Sequence, residues 1–307
     1  MTLQYNVQED APVISVLIPV YNDINRIEEC INSLASQSSS PAFEVIIIDN
    51  GSTDGTYELL QKLQPIGSLN LKITQCLIPG SYAARNHGLK LARGVYAAFT
   101  DSDCIVTEYW LHNLYSAIQC APEDTIIAGK MEFFPDSSKV TEQSAIDFEN
   151  LFSMKQDENA KNGKSITANF FCSMALLNKH KGFDQKLMSG GDVELSTRVV
   201  KNGGKVIYSE KSLVTHPSRN KEELVIKRKR IIGGTWDSQL SSSSFAEKIG
   251  FCGRLIKMLL GRTKNVLFND SLPFTRRIKL VGLLLLIFTT SVSELVKLMF
   301  GKKANRA

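Results

Sequence analysis

Two aspartates one residue apart, Asp101-Ser102-Asp103, close the apolar run Val95-Tyr-Ala-Ala-Phe-Thr100. Carboxylates at that spacing on a strand end can reach one hard cation, and hard cations take oxygen ligands. Mg²⁺ commonly binds one or two carboxylates together with a substrate's phosphates. A turn or a helix cap uses the same residues, so the pair does not decide alone. Asp49-Asn-Gly-Ser-Thr-Asp54 follows another apolar run, Val45–Ile48. It offers carboxylate and amide groups to a base or ribose, while Ser52 or Thr53 can equally cap the next helix. Gly190-Gly-Asp-Val-Glu-Leu195 sets Asp192 and Glu194 at an expected helix start. A carboxylate there acts as a general base or simply stabilises the helix dipole. His216 precedes Pro217, which favours extended backbone, and it gains meaning only beside a metal.

The elements that must position these groups alternate. Val13–Val20, Val45–Ile48, Leu69–Cys76 and Val95–Thr100 read as strands. Asp23–Leu34, with Asn22 or Asp23 as cap, Thr56–Leu63 and Ser81–Ala92 read as helices. The strands are continuously apolar rather than alternating, which predicts a buried parallel sheet. The polar clusters fall at the strands' carboxyl ends, where such sheets bind ligands. Further on, Thr125–Gly129 and Lys205–Tyr208 read as strands and Glu142–Met154 as a helix.

No GxGxxG or GxxxxGK[ST] is present, which disfavours a Rossmann dinucleotide enzyme and a P-loop NTPase. No HExxH or GxSxG occurs either. The 307 residues are 43% hydrophobic and 22% charged, so an ordinary globular core is expected. Six cysteines without a CxxC pair read as reduced, cytosolic thiols. The opening Met1–Pro12 lacks the basic start and apolar core of a secretory signal.

Net charge is +5, but unevenly spread. From Lys221 onward there are 17 Lys and Arg against 6 Asp and Glu; the first 220 residues hold 19 against 25. Lys227-Arg-Lys-Arg230 is a solvated face, a diphosphate contact or a lipid-headgroup contact. Cys252, Leu255, Ile256, Leu259 and Leu260 form an apolar stripe beside Arg254, Lys257, Arg262 and Lys264. That is the pattern of a basic amphipathic helix lying in a membrane interface, the alternative being an ordinary helix packed on the catalytic domain. Leu280–Ser293 carries no charge but spans only about 21 Å as a helix, short of a bilayer core of about 30 Å. Shallow insertion is expected in preference to a span or to a buried or dimerising helix, with Arg276, Arg277, Lys279, Lys302 and Lys303 meeting anionic headgroups. No aromatic or helix-turn-helix pattern accompanies the charge, so nucleic acid is not expected as a partner.

The ordered set of motifs resembles an inverting glycosyltransferase of family 2 with the GT-A fold. The matching residues are Val16-Leu-Ile-Pro-Val-Tyr-Asn22, Ile48-Asp-Asn-Gly-Ser-Thr-Asp-Gly-Thr56 and Ala84-Arg-Asn-His-Gly88 with Ala92-Arg-Gly94. They continue with Phe99-Thr-Asp-Ser-Asp103 and Trp110-Leu111, Gly182-Phe-Asp184, Gly191-Asp-Val-Glu-Leu195 with Arg198, and Val214-Thr-His216. The likeness implies an α/β fold with a mostly parallel central sheet flanked by helices, over residues 12–235. An N-terminal tail, 1–11, precedes it, and a helical, basic and apolar extension, 236–307, follows.

By the same resemblance Pro19, Tyr21 and Asn22 line the nucleotide pocket and Asp49 bonds the base. Ser81 and Arg85 help hold the nucleotide. Asp101 and Asp103 form a DxD site for Mn²⁺ or Mg²⁺, with Asp103 the direct ligand and His216 a further one. Asp192 is the base that deprotonates the acceptor hydroxyl. The family often has Glu-Asp at Gly191-Asp192, which leaves Glu194 as a second candidate base, and Asp-Asp at Asp49-Asn50. The implied reaction moves a sugar from a nucleotide-diphosphate donor, expected to be UDP-linked, to a glycan or lipid-linked hydroxyl with inversion. The expected setting is cell-surface polysaccharide or glycolipid synthesis, peripheral on the cytoplasmic membrane face. The competing readings are a sugar-nucleotide pyrophosphorylase, which needs a glycine-rich phosphate loop where this chain has Pro19–Asn22, and an inactive nucleotide- or glycan-binding scaffold.

Overall fold

A computed structural model describes residues 11–63, 69–136, 140–187 and 189–302. The expected N-terminal tail, apart from Ala11, and Lys303 lie outside the described residues. In chain order the elements are β1 (Ile14–Val20), α1 (Ile27–Ala35), β2 (Phe43–Asp49), α2 (Thr56–Lys62), β3 (Asn70–Gln75), α3 (Ser81–Leu89), β4 (Tyr96–Phe99), β5 (Ile105–Val106), α4 (Trp110–Gln119) and β6 (Thr125–Phe134). There follow α5 (Gln143–Phe152), α6 (Gln156–Lys161), β7 (Phe170–Ser173), α7 (Met174–Lys179), α8 (Gly191–Lys201), β8 (Lys205–Pro217), α9 (Lys221–Thr235), α10 (Phe245–Leu267) and α11 (Phe274–Met299).

The chain divides into two compact units. The first holds residues 1–131, 156–186 and 192–215; the second holds 132–155, 187–191 and 216–307. This division differs from the boundary at 235 read from the sequence. Helix α5, central to the linear order, shares a core with the C-terminal helices.

In the first unit the strand order begins β3-β2-β1-β4 and continues β7-β6-β8-β5. β1 pairs in parallel with β2 and β4, and β2 with β3. β7 then runs antiparallel to β4, and β5 antiparallel to β8. All seven residues of β1 are buried, as are six of seven in β2. Each fully buried Val, Ile or Leu contributes about 1.5–3 kcal/mol, so these two strands anchor the unit. Helix α3 closes onto them through Gly88, where a Cβ would come within 2.7 Å of both Leu17 and Ile48. Gly94 is equally constrained, since a Cβ there would meet the Ser15 backbone at 2.5 Å. Beside it the buried Glu44 carboxylate accepts from Ser15 Oγ (2.7 Å), Arg93 N (2.6 Å) and Arg93 Nε (3.1 Å). Ala92-Arg-Gly94 therefore ties the strands' amino-terminal side.

Several elements depart from the sequence reading, among them β5, α4, α6 and α7, and three departures have a local physical reason. β8 extends to Pro217, well past Tyr208, because alternate residues from Ser212 onward are buried. β7 was not foreseen: four residues are too few for periodicity, yet Phe170, Phe171 and Cys172 are fully buried between β4 and β6. Helix α1 starts at Ile27 without a side-chain cap, because Asp23 is used elsewhere.

The second unit packs α11 against α5, α9 and α10. Ala145, Phe148, Leu224, Val266, Leu280, Leu283 and Ile287 form one core cluster. Ile232, Leu240, Leu255, Leu295 and Leu298 form another. Ion pairs and a hydrogen bond tie these helices together. Arg276 pairs with Asp147 through Nε–Oδ2 (3.0 Å), and Arg228 Nε donates to Ser291 Oγ (2.5 Å). The fully buried Glu149 meets Arg219 (3.2 Å) and Lys227 (3.7 Å). Burial alone would raise the Glu149 carboxyl, but those two cations and the Arg219 N–H hold it below its ordinary value.

Candidate functional site

The carboxyl ends of β1, β2 and β4 converge by register. Asp49 stands opposite Val20 on one side and Gln75 on the other, and Phe99 stands opposite Leu17. Pro19 is buried within β1, while Tyr21 just beyond it is 62% exposed. Asn22 takes a left-handed φ of 50°. Its N–H donates to Ser52 Oγ (2.9 Å) and its Oδ1 accepts from Thr53 N (2.8 Å). The 49–54 loop is thereby latched to the exit of β1. Ser52 serves that latch rather than capping α2, whose N-cap is Gly55 at φ 93° with no side-chain bond.

Asp49 is fully buried and accepts from Gly51 N (3.1 Å), Ser52 N (3.3 Å) and Gln75 Nε2 (3.2 Å). Its neighbour Asn50 spans to the next loop, donating to Cys76 O (2.6 Å) and Ile78 O (2.8 Å) and accepting from Gly80 N (2.7 Å). The loop feeding α3 is thus aligned with the loop after β2. Ser81 opens α3 in an exposed position.

The Asp101–Asp103 turn is held from two sides. Arg85, only 3% exposed, pairs through Nη2 with Asp101 Oδ1 at 2.5 Å. Ser102 Oγ donates to Asp23 Oδ2 (2.6 Å), and Asp23 also pairs with Arg26 Nε (2.6 Å). Burial raises the Asp23 carboxyl above its ordinary value, against the Ser102 bond and Arg26. Cys104, fully buried, points its thiol at Asp103 Oδ1 (3.7 Å). Burial and the two aspartates push that thiol well above its ordinary value, so it stays neutral beside the carboxylates.

Asp192 lies in the first turn of α8, where the helix dipole favours a carboxylate. It is 8% exposed. Oδ1 accepts from Tyr82 Oη (3.1 Å) and Val193 N (2.9 Å); Oδ2 accepts from Thr167 N (3.2 Å). A carboxylate has about four lone-pair sites, so one remains for a substrate hydroxyl. Glu194 is committed elsewhere: Arg198 grips both its oxygens (2.9 and 2.7 Å) and bonds the His180 and Gly182 carbonyls. Between the two candidate bases, this geometry favours Asp192.

Helix α3 thus carries both grips, Tyr82 on Asp192 and Arg85 on Asp101, one turn apart. Tyr82 stacks on Phe183 with centroids 5.6 Å apart, and the Asn86 amide clamps the Phe183 backbone (2.7 and 3.0 Å). Burial, and then the Asp192 charge, push the Tyr82 phenol upward, so it remains a donor. Tyr82→Phe removes a bond to a charged group worth about 1.5–3 kcal/mol. The expected result is a kcat lower by about 10- to 100-fold with donor KM unchanged, read by steady-state kinetics. Tyr82 is a positioning residue on this view, and a fall in donor affinity instead of kcat would contradict it.

His216 is the penultimate residue of β8, directly after Thr215, whose partner on β5 is Ile105. Asp103 lies two residues before Ile105 in the chain. The His216 Nδ1 donates to Pro217 O (2.6 Å), and Nε2 accepts from Arg219 Nη2 (3.0 Å). Burial and then Arg219 lower its pKa below the ordinary value, so the imidazole is neutral, with both ring nitrogens engaged.

Comparison with known proteins decides the family. The model of glycosyl transferase family 2 matches residues 15–182. The chain belongs to that family. The glycosyltransferase AglE of Haloferax volcanii is 32% identical over 224 residues, 72% of either chain. TuaG of Bacillus subtilis, described as a teichuronic acid biosynthesis glycosyltransferase, is 40% identical over 92 residues, 30% of this chain and 36% of its own. Among solved structures, residues 1–349 of Staphylococcus aureus TarS superpose with a TM-score of 0.52 at 20% identity, covering 94% of this chain and 92% of that one. A mannosyltransferase of Pyrobaculum calidifontis, solved with GDP-Man and Mn²⁺, gives 0.56 at 17%, covering 96% and 77%. The fold is GT-A-like: a mixed sheet with a parallel half, flanking helices and C-terminal helices.

In this glycosyltransferase most of the residues read from sequence fall in the first unit, the main groups at three places, while His216 belongs to the second unit. Pro19, Tyr21, Asn22 and Asp49 gather at the β1 and β2 ends; Arg85 and Asp101 form an ion pair; Asp192 stands on α8. Sequence reasoning missed Tyr82, Asp23 and Asn169. Asn169 is fully buried, accepts from Trp110 Nε1 (3.0 Å) and donates to the Lys130 and Ser212 carbonyls (2.9 and 2.8 Å). The one available signal was a lone amide abutting the apolar Phe170-Phe171-Cys172.

Proposed function

We propose that the chain transfers a sugar from a nucleotide-diphosphate donor, UDP-linked in the first instance, to a hydroxyl of a glycan or lipid-linked acceptor with inversion. The place of work is the cytoplasmic face of a membrane, in cell-surface polysaccharide or glycolipid synthesis. The observation that carries this reading is α3 holding both Asp192 and Asp101. Relatives support the class: TarS is a poly(ribitol-phosphate) β-N-acetylglucosaminyltransferase solved with UDP, and an Escherichia coli relative is a UDP-Glc-dependent glucosyltransferase acting on a diphosphoundecaprenol-linked sugar.

Asp101, Asp103 and His216 are the residues assigned to a divalent cation. The two carboxylates supply the hard oxygens that Mn²⁺ or Mg²⁺ takes, and the His216 imidazole would ligate only through Nε2, in place of its hydrogen bond from Arg219. When bound, the cation neutralises charge developing on the leaving diphosphate. Arg85 fixes the Asp101 carboxylate. Pro19, Tyr21, Asn22, Asp49 and Ser81 are assigned to the nucleotide. Asp192 takes the proton of the acceptor hydroxyl through its remaining lone pair, from the face opposite the leaving group, which inverts the anomeric carbon. The test incubates the full chain with UDP- and GDP-sugars in Mn²⁺ and in EDTA. Release of nucleoside diphosphate in Mn²⁺ only, with an inverted sugar product, is expected; no release from any donor would reject the enzyme reading.

A further inference from the structure

The C-terminal hairpin leaves two apolar stripes outside the cores of the second unit. On α10, Phe245, Ile249, Ile256, Leu260 and Leu267 are 44–66% exposed. Spaced by four and seven residues, they fall within about 60° of one another around the helix. On α11, Phe274, Ile278, Leu285 and Val296 are 44–72% exposed and fall within about 40°. Phe268, between the helices, is 76% exposed. Scattered single apolar side chains are ordinary on a surface, but two aligned rows are not.

Among the described residues α11 is the one helix long and apolar enough to cross a membrane. Its opposite face argues against a span. That face buries Leu280, Leu283, Leu284, Ile287, Leu295 and Leu298 in the unit's own cores. Ser291, fully buried, is bonded by Arg228, and Glu294 is buried beside Lys297 (3.9 Å). A helix so tied to α9 lies along a surface with one side only.

Charge selects the occupant. Between Phe245 and Lys302 there are ten Lys or Arg and three Asp or Glu. Lys257, Lys264, Lys279 and Lys297 are exposed on the same two helices as the stripes. Rows of Phe, Ile and Leu with lysines on the same helices match an interface of acyl chains beneath anionic headgroups. A second copy of this chain would instead set like charges against each other. We propose that the exposed faces of α10 and α11 dock in plane on an anionic bilayer surface, with Phe245, Ile256, Leu260, Phe274 and Ile278 entering the headgroup boundary. This specifies the surface behind the membrane setting proposed above, and its test reads binding rather than transfer.

The full chain is sedimented with phosphatidylcholine vesicles, with and without about a third phosphatidylglycerol. Binding to the anionic vesicles is expected, weakened by high salt, with little binding to neutral ones. Ile256→Glu/Leu260→Glu and Phe274→Glu/Ile278→Glu, all at exposed positions, are expected to lower partitioning at least about tenfold with circular dichroism unchanged. Lys257→Glu/Lys264→Glu, which leaves the stripes intact, is expected to erase the preference for anionic vesicles. Donor hydrolysis in solution stays at the wild-type rate in all three, so failure of docking is separate from failure of the enzyme reading. No binding by the wild type, or equal binding by the Glu variants, overturns the proposal. So does a lipid-free dimer that the Glu variants dissociate, which would make the stripes an interface between copies.

Discussion

Asp192→Asn is expected to lower transfer by about 10²–10⁴-fold, the contribution of a positioned general base, while nucleotide binding stays at wild-type strength. The substitution keeps the shape of the side chain at the start of α8. The amide oxygen can still accept one of the two donors, Tyr82 Oη or Thr167 N, that now occupy separate carboxylate oxygens. The other donor then faces an NH₂ group, and an unsatisfied buried donor costs about 1–3 kcal/mol. A modest fall in the unfolding midpoint therefore accompanies the kinetic loss. Glu194→Gln provides the contrast. Glu194 already spends both oxygens on Arg198, so its loss weakens a half-buried helix pair and leaves transfer near the wild-type rate. Full turnover by Asp192→Asn, or collapse of turnover in Glu194→Gln, would reverse the assignment of the base.

Asp103→Ala is expected to abolish transfer by a different route. Asp103 is half-buried on the turn after β4, and its loss removes one of two carboxylates assigned to the cation. The turn itself should persist, because Arg85 holds Asp101 and Asp23 holds Ser102 independently. Stability is thus expected to change by less than about 1 kcal/mol, as for a substitution away from core and caps. Turnover in saturating Mn²⁺ is expected to fall at least about 100-fold, since charge stabilisation at a leaving group is worth several kcal/mol. Asp192→Asn separates chemistry from binding; Asp103→Ala removes both. An Asp103→Ala protein that keeps metal-stimulated turnover would show that the turn is only structural.

The parallel half of the sheet was legible because β1 and β2 are buried along nearly their whole length, and such strands read as unbroken apolar runs. Asp49, Asp101 and Asp192 were legible because each follows a run or opens a helix. What sequence could not show was partnership. Tyr82 and Asp192 are 110 positions apart, and nothing in either local pattern links them. Asp23 looked like a helix cap because Asp before an amphipathic run usually is one, yet the buried Ser102 hydroxyl outcompetes the backbone for it. β7 was hidden by its length, since four residues cannot display a period. In the tail, the stripe read as Cys252, Leu255, Ile256, Leu259 and Leu260 divides in the structure: Leu255 turns into the core, and Ile256 and Leu260 turn out. Periodicity finds an apolar arc, but only neighbouring helices decide which part of it is covered.

The central claim is that acidic residues at the end of β4 bind the nucleotide diphosphate through a divalent ion. Its most direct test is calorimetric titration of the full chain, wild type and Asp103→Ala, with UDP and GDP in Mn²⁺ and in EDTA. The account predicts tight binding of one nucleotide to the wild type in Mn²⁺ alone, lost in EDTA and lost equally in Asp103→Ala. Binding of the same strength with and without Mn²⁺, or an Asp103→Ala protein that retains the Mn²⁺-dependent affinity, would contradict it.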